Sequence, residues 1–88
     1  MGMDAKMNMA IASELRAMRT EVGITQQKLA GMLGKPQSYI SKVESGKRDL
    51  HLAEISDYAA GLGIDIDNFM HRIDVCIKEC RAQETKQM

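Results

Sequence analysis

Apolar residues recur at three- and four-residue intervals along nearly the whole chain, and no stretch alternates at period two. That pattern predicts helices and no sheet. From Met9 to Val22, the residues Ile11, Leu15, Met18 and Val22 fall on one stripe, and Gly23 stands where a helix ends in a left-handed residue. Thr25 is a good N-cap for a short helix running to Leu33, with Leu29, Ala30 and Leu33 facing inward and Gly34 ending it. Pro36 presets φ for a first helical turn, so a third helix is expected over 36–44, with Ile40 and Val43 apolar. A fourth helix, from about Leu52 to Gly61, carries Leu52, Ile55, Ala59 and Leu62 on one stripe with Tyr58 beside it. Asp65 can cap a fifth helix over 65–82, whose Ile66, Phe69, Met70, Ile73, Cys76, Ile77 and Cys80 approach a heptad seam. Residues 1–8 and 82–88 are mostly polar or Met and are expected to fray.

These elements occupy 88 residues, enough for one small domain. Apolar residues make up 44% of the chain and charged residues 27%, a globular balance that excludes a disordered polar chain. No apolar run approaches the roughly 18 residues of a membrane span, and the first ten residues lack the apolar segment of a secretory leader. Two cysteines cannot build a disulfide framework, so a reduced, cytoplasmic setting is expected, with no membrane partner. The net charge of zero hides an asymmetry: residues 1–48 carry a balance of +4 and residues 49–88 a balance of −4. Between 25 and 48, Lys28, Lys35, Lys42, Lys47 and Arg48 stand against Glu44 alone. A basic half of this kind is the electrostatic footprint of phosphate binding.

Two short helices joined by the tight Gly34-Lys35 connection make a helix-turn-helix. In that motif the second helix enters the major groove of double-stranded DNA while the first crosses the backbone. Away from Ile40 and Val43, the second helix offers Gln37, Ser38, Ser41 and Lys42 on one face. Gln pairs with adenine, Lys with guanine and Ser with either, so these four are the base-reading candidates. The N-termini near Gln26 and Gln37 add partial positive charge.

With Leu15, Arg19, Gly23, the run Thr25-Gln26-Gln27-Lys28-Leu29-Ala30, Leu33-Gly34, the run Ile40-Ser41-Lys42-Val43-Glu44-Ser45-Gly46 and Leu62-Gly63-Ile64, the chain resembles the Cro/C1-type (XRE-family) helix-turn-helix regulators over about residues 11–69. The resemblance implies an all-α, five-helix, lambda-repressor-like DNA-binding domain, here with an extended C-terminal helix. It implies phosphate contacts from Gln26, Lys47 and Arg48, with Lys28, Lys35 and Tyr39 as further phosphate candidates. It also implies a partly buried ion pair between Arg19 and Glu44. The chain departs from the family pattern in having Lys35-Pro36 where a Ser or Thr usually caps the recognition helix. Lys28 replaces a common Glu, which removes a capping box.

The fifth helix is longer than such a core requires. Its Ile66, Met70, Ile73, Ile77 and Cys80 would lie exposed on a monomer and are the candidate homodimer interface. The competing reading is that this helix folds back over its own core. No nucleophile, base and orienter stand in a catalytic pattern, so no enzyme is expected. Cys76 and Cys80 lack the two further ligands that a structural zinc needs. They are read as small apolar core residues, and no metal or cofactor is expected. The functional expectation is a homodimeric repressor reading a palindromic operator. An antitoxin-type regulator with a protein partner, or an interaction module without DNA, are the alternatives.

Overall fold

The computed structural model describes the backbone of residues 2–86 and the side chains of residues 5–83. Among these residues there are five helices and no strand: α1 (Gly2–Val22), α2 (Gln26–Leu33), α3 (Gln37–Glu44), α4 (Leu52–Leu62) and α5 (Ile66–Lys86). The all-α expectation holds, with each helix where its periodicity placed it. Both ends need correction. Helix α1 starts at Gly2, and residues 2–8 are helical rather than frayed, while residue 1 lies outside the described residues. Residues 82–86 continue α5, and residues 87 and 88 lie outside the described residues.

The two ends order each other. Ala5, Lys6, Met9 and Ala10 of α1 face Cys76, Glu79, Cys80 and Gln83 of α5, so low numbers meet high ones and the helices run antiparallel. Arg72 clasps the other end. Its Nε donates to Glu14 Oε2 at 2.8 Å, while Nη1 and Nη2 donate to Glu21 Oε1 and Oε2 at 2.6 and 2.9 Å. Each of the two helices has 21 residues, and at about 1.5 Å per residue each outreaches the rest of the domain.

One core joins all five helices, with Met18, Leu29, Ile40, Val43, Tyr58 and Phe69 fully buried at its centre. The tilted rings of Tyr58 and Phe69, with centroids 6.5 Å apart, link α4 to α5. Two stripe residues were misplaced by periodicity. Leu52 is 87% exposed at the first turn of α4, and the core position goes to Tyr58. Val22, at the last turn of α1, is 44% exposed.

The fifth helix is also corrected. Ile73 is buried and Ile77 packs on the core, because α5 lies back along α1 of the same chain, where Ile73 meets Ile11, Ala12 and Leu15. Ile66 and Met70, each 41% exposed, keep an open apolar face. Cys76 and Cys80 are half-buried beside α1 rather than core residues.

Candidate nucleic-acid interface

The interface is built from α2, α3 and the loop after them. Thr25 Oγ1 accepts from the Lys28 N–H at 3.0 Å and opens α2. Gly34 closes it with φ +67, a left-handed conformation that a side chain resists. The Lys35 N–H then returns to Ala30 O at 2.9 Å, so the turn into the next helix is set by backbone hydrogen bonds. Pro36 takes the N-cap position of α3 with φ −71, one residue before the helix rather than inside it. Tyr39, Ile40, Val43 and Glu44 point inward, while Gln37, Ser38, Ser41 and Lys42 are exposed. The four base-reading candidates therefore share the solvent side of α3.

A polar network ties this helix down from beneath. Arg19 Nε and Nη2 donate to the two Glu44 oxygens at 2.6 and 3.0 Å, and Nη1 donates to Ile24 O at 2.6 Å. The Glu44 side chain is only 2% exposed and that of Arg19 9%. Two buried charges thus satisfy one another in bidentate geometry. The hydrogen bond to Glu44 raises the Arg19 pKa against the opposing effect of burial. Gln26 Nε2 also donates to Glu44 Oε1, at 3.0 Å. Gln37 Nε2 reaches Gln26 Oε1 at 3.5 Å, the longest and weakest link. Glu44 therefore couples α1, α2 and α3 through one carboxylate.

A second cluster lies at the C-terminal side of α3. The Lys47 and Arg48 N–H groups both donate to Lys42 O, at 2.9 and 3.2 Å, which folds the loop back on the helix. The Arg48 guanidinium lies 4.6 Å over the Tyr39 ring, and Lys35 Nζ lies 5.4 Å from the same ring. Arg48 also donates to both Glu54 oxygens, at 3.0 and 2.9 Å, and to Asp49 O at 2.9 Å. Glu54 further accepts from the His51 N–H at 2.8 Å, a capping contact at the start of α4. These bonds, led by Arg48, pull the Glu54 pKa down to about 2.

Two phosphate candidates change character here. The Tyr39 ring is buried and belongs to the core cluster, because it follows Pro36 by three residues on the inner side of α3. Arg48 is engaged by Glu54 in its own chain. Lys28, Lys35, Lys42 and Lys47 are exposed around α2, α3 and the loop, and Gln26 is half-buried against Glu44. Glu54 is the residue that sequence reading missed. Its signal was present, since it stands three residues after the cap position His51.

A family model described as helix-turn-helix matches residues 15–69. The chain is 29% identical over 63 residues to control protein C.MunI of a Mycoplasma species, covering 70% of this chain and 85% of that protein. It is similar to the solved restriction-modification controller protein C.AhdI of Aeromonas hydrophila, with 32% identity and a TM-score of 0.65 over 70% of this chain and 94% of that one. It is also similar to an XRE-family-like protein of Pseudomonas syringae pv. tomato, with 35% identity and a TM-score of 0.70 over 82% and 87% of the two chains. The chain belongs to the helix-turn-helix family, in the Cro/C1 (XRE) type that its motifs resemble.

Proposed function

We propose that this protein is a sequence-specific DNA-binding transcriptional regulator: a homodimeric repressor, working in the cytoplasm, that reads a palindromic operator with α3 in the major groove. One observation carries the reading. Gln37, Ser38, Ser41 and Lys42 stand exposed on a helix whose opposite side is locked by Ile40, Val43 and the buried Glu44. A side chain that reads a base edge must be held in register, and this anchorage supplies it. Exposed Lys28, Lys35 and Lys47 flank that surface and supply phosphate contacts. The likeness to C.MunI and C.AhdI supports a controller role of the restriction-modification kind.

Two copies joined through the open Ile66 and Met70 face of α5 would place two recognition helices on one side of the duplex. Half-site centres about 34–36 Å apart would match one helical turn. The test is a gel shift of a random-sequence duplex pool at rising salt. Retardation at low salt is expected, with log affinity falling against log salt by about 0.9 for each phosphate neutralised. A folded protein that retards no duplex at low salt would remove the reading.

A further inference from the structure

Around the exposed face of α3, one cation differs from its neighbours. Arg48 Nη1 and Nη2 donate to Glu54 Oε1 and Oε2 at 3.0 and 2.9 Å. Among the described residues, Lys35, Lys42 and Lys47 of the same surface stand in no ion pair. The fold nevertheless holds Arg48 close to α3. Its N–H donates to Lys42 O at 3.2 Å, and its guanidinium and Lys35 Nζ lie 4.6 and 5.4 Å from the same Tyr39 ring. The Arg48 side chain is 33% exposed and that of Glu54 17%, so the pair lies where a polyanion can reach it. A guanidinium fork fits a phosphate as well as a carboxylate, with two parallel N–H bonds to either.

What each partner has besides the other makes an exchange feasible. Glu54 Oε1 also accepts from the His51 N–H at 2.8 Å, at the N-terminus of α4, where partial positive charge favours a carboxylate. Arg48 has the Tyr39 ring and a bond to Asp49 O at 2.9 Å. Neither group is left bare when the two part. The buried pair of Arg19 and Glu44 is the contrast, since side chains only 9% and 2% exposed offer a phosphate no access.

We propose that Glu54 is a phosphate surrogate: it holds the Arg48 guanidinium in the free protein and yields it to a phosphodiester of the bound duplex. In this role, which rests on the DNA-binding reading, Glu54 weakens binding to every duplex alike. It has no bearing on which sequence is chosen, because a phosphate contact carries no base information.

The test is a double-mutant cycle on the full chain, read as the anisotropy of a labelled random-sequence duplex. Glu54→Gln should tighten binding more in the chain with Arg48 than in the Arg48→Ala chain, by about two- to fivefold, the range that an exposed ion pair supports. Arg48→Ala should reduce the salt slope by about 0.9, the share of one phosphate. Each variant should keep the wild-type far-ultraviolet circular dichroism. Independently, the carbon NMR resonance of the Glu54 side-chain carboxyl in the unmutated chain should shift when duplex is added, so the result does not rest on variants that fold. Equal gains in the two backgrounds overturn the proposal. So does a larger gain where Arg48 is absent, which would mean that the pair survives in the complex. An unchanged salt slope, or a Glu54 resonance that duplex leaves in place, also overturns it. If neither the wild type nor Glu54→Gln binds any duplex at low salt, the DNA-binding reading falls and the surrogate with it. If the wild type binds and the gains are equal, only the surrogate falls.

Discussion

Glu44 is the residue on which the placement of α3 depends. Its carboxylate accepts from Arg19 on α1 and from Gln26 on α2, with almost no solvent to replace either donor. Removing one partner of such a pair leaves an uncompensated buried charge, at a cost of about 3–5 kcal/mol. Arg19→Ala should therefore lower the Tm by more than about 12 °C, since about 1 kcal/mol moves the Tm of a domain this small by about 4–8 °C. Differential scanning calorimetry checks it, and a shift of a degree or two would mean that the pair is solvated. This pair was expected from sequence only through the family resemblance. The bond from Gln26 to the same carboxylate was not, because residues 18 apart have no periodic relation that a sequence displays.

At the scale of elements, Gly61 shows two effects in competition. A Cβ there would meet Leu29 Cδ1 at 2.9 Å and Leu33 Cδ2 at 3.0 Å, so the glycine lets α4 approach α2 closely. Replacing a helical glycine by alanine gains about 1 kcal/mol of helix propensity, whereas overpacking a core costs about 1–3 kcal/mol. Both contacts are with buried or half-buried leucines, so crowding should win. Gly61→Ala should lower the urea midpoint, and a raised midpoint would show that the leucines yield.

The join between α3 and α4 is electrostatic. Glu54 titrates near 2 in the folded protein against an ordinary 4.5, so its contribution to stability is complete above about pH 4.5 and disappears as pH falls through about 2. Glu54→Gln should flatten the dependence of unfolding midpoint on pH within that window, and an unchanged slope would contradict the assignment. The pairing escaped sequence reading because Arg48 reads equally well as a phosphate ligand. Only the fold shows Glu54 reaching it first.

For the whole molecule, pattern alone gave the helix order, the helix-turn-helix and the exposed face of α3. What it could not give was how two helices distant in sequence complete one another. Residues 2–8 looked too polar to order, yet they are helical and Ala5 and Lys6 face Cys80 and Gln83 of α5, and Arg72 bonds to residues 58 and 51 positions away. The same pairing buries Ile73, packs Ile77 on the core and shrinks the expected dimer stripe to Ile66 and Met70. If those two seal a homodimer, Met70→Glu should give a folded monomer by size exclusion with light scattering at micromolar concentration. A wild-type chain that is itself monomeric there would remove the dimer.

The central claim is that the outer face of α3 reads base edges. Selection of bound duplexes from a random pool, run in parallel for the wild type and for Gln37→Ala and Lys42→Ala, tests it most directly. The wild type should enrich a two-fold symmetric motif with half-sites about one helical turn apart. Each variant should lose preference at particular positions, at about 1–3 kcal/mol for a bidentate contact. Enrichment of the same motif with the same strength by all three proteins would contradict it.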